Sequence, residues 1–296
     1  VTTPLGQGAE VVLAADGVTI WQGDARALPV EDQSVHLVVT SPPYNARVPY
    51  DGYGDWLPWE DYWHGLIEPA LRECYRVLVH GGRIALNTAN FVRQNTDEDV
   101  RQLTRVARDG STKWTPAVNG QKARSTLVDE HIWPALRATG FQPRERLTWV
   151  KADAPVDAIV ANSSTAWGSW CSASNPVLRA IAEPVYLASK GSYQREPGQS
   201  DLSRDEFMAW TRNVWFITTG HADQALHHPA TFPLELPRRL IKLYSYVGDT
   251  VLDPFMGSGT TLRAAKNLGR VALGVDQSER YCALAAGRCA QEVMVL

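Results

Sequence analysis

The sequence predicts an α/β protein, with an open, Rossmann-like, mostly parallel sheet of seven strands and helices on both faces. Three observations predict it. Seven short apolar runs, at 18–21, 35–39, 83–87, 146–150, 184–188, 250–252 and 271–275, have the length of buried strands. Helical spacing of apolar residues separates several of them. Two of the runs end in loops suited to holding a ligand, and the carboxyl edge of such a sheet is where ligands bind.

Taken in order, Val18 to Trp21 reads as the first strand, and Gly23, Asp24 and Ala25 as the turn that follows. Asp24 is either a contact to a bound ligand or a simple turn residue. Val35, Leu37, Val38 and Val39 form the next run, which stops at Thr40-Ser41-Pro42-Pro43-Tyr44. Two prolines end a strand and stiffen the turn, so Ser41, the Pro42 carbonyl and the Tyr44 ring sit at a fixed strand edge. A hydroxyl, a fixed carbonyl and an aromatic face suit a flat molecule bearing an exocyclic amine. The plainer reading is a Pro-Pro turn with a surface tyrosine. From 45 to 59 the chain is a loop rich in Tyr, Gly, Asp and Trp, where Tyr50, Asp51, Tyr53 and Trp56 either cover the site or pack locally. Trp59 to Val79 has helical spacing, and Gly81-Gly82 is expected to end that helix. Val128 to Thr139 is a further helix, stopped by Gly140.

The second ligand loop follows Thr250 to Asp253. Pro254, Phe255, Met256, Gly257, Ser258, Gly259, Thr260 and Thr261 lead into a helical pattern from Leu262 to Leu268. Strand, glycine loop and helix make a nucleotide-type turn. The third glycine of a dinucleotide fingerprint is missing and no Gly-Lys-Ser/Thr follows, so the loop suits a cofactor without a pyrophosphate. The strand 271–275 then ends in Asp276 and Gln277, and a carboxylate there is placed to hold ribose hydroxyls.

Composition bounds the rest. A chain of 296 residues is ample for a buried core. The net charge of −3 leaves no global basic character, so any nucleic-acid binding needs a local basic face. No apolar run approaches the 18 or so residues of a membrane span, and the N-terminus lacks the marks of a secretory signal. Cys74, Cys171, Cys282 and Cys289 form no CxxC pair and no zinc spacing. The expected number of metal ions is none, with His227 and His228 read as rim or packing residues.

These motifs resemble the amino-group DNA methyltransferases that use S-adenosylmethionine. DPFMGSGTT is similar to that family's cofactor motif and TSPPY to its catalytic motif. With the catalytic motif first, the order is similar to the circularly permuted, β-type arrangement. The segment His228-Pro229-Ala230-Thr231-Phe232-Pro233, then Leu236 to Ile241, resembles the stretch before the cofactor loop. Gly23-Asp24-Ala25 resembles the adenine-side element. Trp149-Val150-Lys151 and Glu183 to Lys190 resemble later strands.

The resemblance implies a single catalytic domain over 1–296, with insertions within 91–125, 152–178 and 191–226 as candidate DNA-reading regions. It implies S-adenosyl-L-methionine as cofactor, held by Asp24, Ala25, Phe232, Pro233, Asp253, Pro254, Phe255, Gly257, Ser258, Gly259, Thr260, Thr261, Asp276 and Gln277. Ser41, Pro42, Pro43 and Tyr44 are the implied catalytic residues, acting on an everted base in double-stranded DNA. Within the family, SPPY goes mostly with cytosine N4 and DPPY with adenine N6. Cytosine N4 is therefore the expectation, adenine N6 the alternative, and a non-catalytic SAM- and nucleic-acid-binding module a third reading. No cysteine follows a proline, which argues against the covalent intermediate of carbon-5 enzymes. A monomer or homodimer is expected, cytoplasmic and nucleoid-associated, of bacterial, archaeal or phage-encoded origin, beside a cognate restriction endonuclease acting separately.

Overall fold

The computed structural model describes residues 8–46, 48, 50–51, 54–93, 125–152, 171–174, 176, 180–219 and 232–290. The main sheet contains β1 (Glu10–Ala15), β2 (Val18–Gln22), β3 (Val35–Thr40), β4 (Leu78–Asn87), β7 (Phe141–Val150), β8 (Ala182–Lys190), β9 (Val214–Phe216), β10 (Thr250–Asp253) and β11 (Val271–Asp276). Its order is β1-β2-β11-β10-β3-β4-β8-β7-β9. β5 (Phe91–Arg93) and β6 (Ser125–Leu127) form a separate two-stranded ribbon. From β2 to β4 all neighbours are parallel. β8 is antiparallel to both β4 and β7, and β1 is antiparallel to β2.

All seven expected strands are present, but the sheet has nine among the described residues, which corrects the expected count. The two additions carry no buried apolar run. β1 is mostly exposed and β9 is three residues long, so hydrophobic periodicity could not signal either. The stretch 191–226, read as a polar connection, holds β9 and also helix α4 (Arg204–Trp210), which starts with a Ser203–Glu206 capping box.

The strands alternate between two cores. Leu37, Val39, Val185 and Leu187 face one side, where α5 (Glu235–Tyr244), α6 (Thr260–Asn267) and α7 (Glu279–Ala290) contribute Leu240, Leu262 and Cys282. Val35, Val38, Tyr186 and Ala188 face the other, against Ile67, Leu71, Ile132 and Leu136. The last two come from α3 (Asp129–Thr139), which Gly140 ends in a left-handed conformation. Helices thus cover both faces, as the alternation of strand and helix patterns predicts.

The long helix after the 45–59 loop has an irregularity with a cause. α1 (Trp59–Tyr62) passes through a π-helical turn, Trp63–Ile67, into α2 (Glu68–Val77). Pro69 has no N–H to give to Gly65 and its ring would crowd that carbonyl. The widened turn relieves the conflict, and Arg26 Nη1 donates to the freed Gly65 carbonyl at 3.2 Å. The helix ends at Val77, and Gly81-Gly82 lies inside β4, not at a helix stop. A Cβ at Gly81 would come within 2.5 Å of the Gln194 carbonyl, so glycine there answers a close backbone approach.

β10 lies near the middle of the sheet, and Leu252 on it is fully buried. Leu252→Ala is expected to cost about 2–5 kcal/mol of stability, read as a lowered midpoint in urea denaturation with an unchanged slope.

Candidate active site

Parallel pairing of β3 with β10 brings the two motif loops to the same edge of the sheet, since Leu37 and Val38 sit opposite Val251 and Leu252. One carboxylate then joins them. Thr40 Oγ1 donates to Asp253 Oδ1 at 2.7 Å, and Thr261 Oγ1 donates to Asp253 Oδ2 at 2.7 Å. The Phe255 N–H reaches Oδ1 at 3.1 Å. Asp253 is buried, and burial pushes its carboxyl up to about 6 against the pull of these donors.

The turn after β10 is shaped by glycines. Gly259, at φ +77°, begins α6, and a Cβ there would lie 2.8 Å from the Ala285 Cβ. Gly257 N–H donates to Asp276 Oδ2 at 2.9 Å, and Ser278 N–H donates to Asp276 Oδ1 at 2.9 Å. The Gln277 N–H is a third backbone donor to this carboxylate, and because an ionised carboxylate has about four acceptor sites, Asp276 can still accept from a ligand. Burial raises the Asp276 carboxyl above its ordinary range, opposed by the backbone donors.

A cavity of about 380 Å³ opens beside these groups, lined by Gly23, Ala25, Pro43, Pro254, Phe255, Asp276 and Gln277 among others. That volume is within the range of small-molecule and cofactor sites. Largely apolar walls with the Asp276 carboxylate among their polar groups fit a nucleoside whose ribose hydroxyls need acceptors.

The structure separates the remaining expected cofactor residues by what they touch. Asp24 is bound by Arg26 through Nη2 at 2.6 Å. Burial alone would raise its carboxyl, and the Arg26 hydrogen bonds outweigh that and lower it. Arg26 itself lines the cavity. Ser258 and Thr260 accept from Arg288 Nη1, at 2.9 Å and 3.2 Å to their hydroxyls. Thr261 holds Asp253. Phe232 packs against the core below β3, and Pro233 is buried. His227, His228 and nearly all of 91–125 and 152–178 lie outside the described residues.

At the other loop, Ser41 Oγ and Tyr44 Oη are 2.8 Å apart. Tyr44 Oη lies 3.0 Å from Asn87 Oδ1 and 3.3 Å from Glu183 Oε2. The Asn87 amide nitrogen donates to the Pro184 carbonyl at 3.1 Å, which turns its oxygen toward Tyr44. Asn87 and Glu183 can only accept from Tyr44. Ser41 Oγ also lies 3.5 Å from Asn87 Oδ1, so its hydrogen goes to Tyr44 or to Asn87, and either way Ser41 keeps a lone pair for an incoming donor. Burial and the Glu183 charge push the Tyr44 phenol well above its ordinary value, so it stays protonated. Lys151 forms an ion pair with Glu183 Oε1.

Sequence reasoning misses Asn87, Glu183 and Lys151 as site residues. Asn87 carries a readable signal, a polar residue ending the strand beside Ser41. Lys151 and Glu183 meet only because β7 and β8 run antiparallel, with Trp149 opposite Glu183.

The loop after Tyr44 is closed by a clasp. The backbone N–H groups of Asn45 and Ala46 donate to the Asp55 carboxylate. The Asn45 amide exchanges two hydrogen bonds with the Leu57 backbone, at 2.8 Å and 3.1 Å. Asn45 has φ +52°, a left-handed conformation that asparagine tolerates. Burial pushes the Asp55 carboxyl up to about 7, with the backbone donors opposing. Farther along, Ser278 Oγ donates to Asp51 Oδ2 at 2.9 Å, so the loop reaches the start of α7.

A family model described as DNA methylase matches residues 35–287. Type II methyltransferase M.MjaI of Methanocaldococcus jannaschii is 28% identical over 293 residues, covering 86% of this chain and 85% of its own. A Thermus thermophilus protein, described as a DNA modification methylase and solved in complex with S-adenosyl-L-methionine, is 29% identical with a TM-score of 0.64, over 93% of both chains. The cytosine-N4-specific PvuII DNA methyltransferase has a TM-score of 0.62 at 19% identity, covering 94% of this chain and 88% of its own, a likeness of fold.

The bridging carboxylate gives a pH signature. With a folded value of about 6 against an ordinary 3.8, Asp253 binds a proton in the folded state that the unfolded chain does not. Stability contributed this way grows as pH falls. As pH drops from 7 through 6 toward 4, the native protein should gain on the order of 2 kcal/mol relative to Asp253→Asn, measured by paired urea titrations. A constant difference would contradict it.

Proposed function

The chain belongs to the DNA methylase family, and on that footing we propose that it transfers a methyl group to the exocyclic N4 of a cytosine turned out of double-stranded DNA. Its cofactor is S-adenosyl-L-methionine. When bound, this cofactor supplies a methyl group already activated on a sulfonium sulfur.

The observation that carries the reading is the set of acceptors around the Ser41 hydroxyl. Its hydrogen goes to Tyr44 or to Asn87, so a lone pair is left to accept from an amine. The Pro42 carbonyl supplies a second acceptor. Two acceptors on one NH2 favour a pyramidal nitrogen with its lone pair released from the ring, which is charge stabilisation aimed at the transition state. Tyr44, its hydroxyl anchored by Asn87 and Glu183, presents its ring for stacking, worth about 1–3 kcal/mol. Serine in place of aspartate at 41 favours cytosine over adenine as the acceptor.

For the cofactor, Asp276 accepts from the ribose hydroxyls. Ala25, Pro254, Phe255 and Gln277 form the walls, and Gly257 lets the backbone come close. Asp253, Ser258, Thr260 and Thr261 keep the loop in shape. The catalytic loop leaves β3 and the cofactor loop leaves β10, later in the chain, which supports the permuted, β-type order. The whole of 1–296 forms one catalytic unit, monomeric or dimeric. The insertions at 91–125, 152–178 and 191–226 read the DNA sequence. A separate restriction endonuclease of the same specificity fits a role in restriction–modification.

Three outcomes can be measured. Nucleosides from plasmid DNA incubated with protein and S-adenosylmethionine should contain N4-methylcytosine by mass spectrometry. N6-methyladenine would reassign the acceptor, and no methylated base would end the catalytic reading. Ser41→Ala should lower turnover by about 100-fold with S-adenosylmethionine affinity unchanged by calorimetry. Asp276→Ala should weaken that affinity by at least about tenfold, since hydrogen bonds to a charged acceptor are each worth about 1.5–3 kcal/mol.

A further inference from the structure

The proton that must leave the amine has a ready route inside the protein. Ser41 Oγ, Tyr44 Oη and Glu183 Oε2 form a continuous line of hydrogen bonds, at 2.8 Å and 3.3 Å. Asn87 and Glu183 offer only acceptors to Tyr44, so a hydrogen passed along the line leaves Tyr44 toward one of them. A carboxylate is a far stronger base than an amide oxygen, so of the two acceptors Glu183 is the end of the line. We propose that Glu183 takes up the proton released by the methylated amine, through the hydroxyls of Tyr44 and Ser41. This rests on the reading of the site as an amine methyltransferase.

The balance closes. The amine nitrogen forms its new bond to carbon with its lone pair, while the sulfur–carbon bond breaks with its electrons kept by sulfur. The nitrogen is left with one proton in excess. That proton moves to Ser41 Oγ, the Ser41 hydrogen to Tyr44 Oη, and the Tyr44 hydrogen to Glu183 Oε2. Both hydroxyls are regenerated and Glu183 becomes a carboxylic acid. No outside oxidant, base or metal enters.

Lys151 has a defined part in this arrangement. Its ammonium pairs with Oε1, which leaves Oε2 as the oxygen meeting Tyr44. The Lys151 side chain is 36% exposed and that of Glu183 16%, so the pair connects the half-buried tyrosine to solvent, where the proton is finally lost. Among the described residues, the other titratable group facing Glu183 is Tyr50, from the loop after the motif. Lys151 and Glu183 are thus positioning residues acting through Tyr44 and Ser41, which touch the base.

The test compares the full chain with Glu183→Gln and Tyr44→Phe, using plasmid DNA and labelled S-adenosylmethionine. Single-turnover methyl transfer is followed against pH, and cofactor affinity by calorimetry. The native protein should lose rate on the acid side. E183Q should transfer methyl about 100-fold more slowly, without that acid-side fall, while binding S-adenosylmethionine as tightly as the native protein. Y44F should show the same two losses, and it decides the matter if E183Q does not fold. Either variant, folded, with native rate and an unchanged pH profile would overturn the relay. Methylated base formed equally fast by E183Q overturns the relay alone. No methylated base from the unsubstituted protein overturns the amine-transfer reading and the relay with it.

Discussion

The site depends on one buried carboxylate. Asp253 has no solvent to share its charge, and its oxygens are held by hydroxyls from the end of β3 and the first turn of α6, and by the Phe255 N–H. Parallel pairing of β3 and β10 aligns the backbones, but pairing alone leaves the two loops free to splay beyond the last ladder bond. The shared acceptor removes that freedom. Threonine is suited to both positions, because a β-branched side chain has few rotamers and its hydroxyl is held where the carboxylate needs it. The cost is the burial of a charge, which is tolerable because every oxygen of the carboxylate is hydrogen-bonded.

A similar arrangement runs through the cofactor side. Asp276 is held from below by Gly257 and Ser278 N–H groups, so its position is set by backbone that belongs to two loops. Arg288, from the far end of α7, satisfies the Ser258 carbonyl and hydroxyl and reaches Thr260. Several residues of the glycine loop therefore act by shaping the loop, and fewer of them, chiefly Pro254 and Phe255, line the cavity.

The sequence made legible what is local. Apolar runs located the seven strands, and the two loops at their ends located both halves of the site. What it concealed depends on partners distant in the chain. β1 and β9 have no buried stripe of their own and are strands only because a neighbour offers an open edge. The helix boundary at Val77 and the glycines inside β4 follow from a register shift between Val35 and Leu37 and from the nearness of Gln194, neither of which periodicity reports. Lys151 and Glu183 look like flanking charges until the antiparallel register of β7 and β8 sets them side by side.

The clasp between Asn45 and the Asp55–Leu57 segment separates the motif from what comes after it. The chain leaves Tyr44, is gathered at Asn45, and is gathered again ten residues later by the same residue's backbone and amide. Closing a loop becomes only slightly harder as the loop lengthens, by about 0.6 kcal/mol per doubling. A change of length in the tip between these two anchor points is thus absorbed at little cost in closure, provided that it keeps the Asp51 contacts to Ser278 and Tyr281.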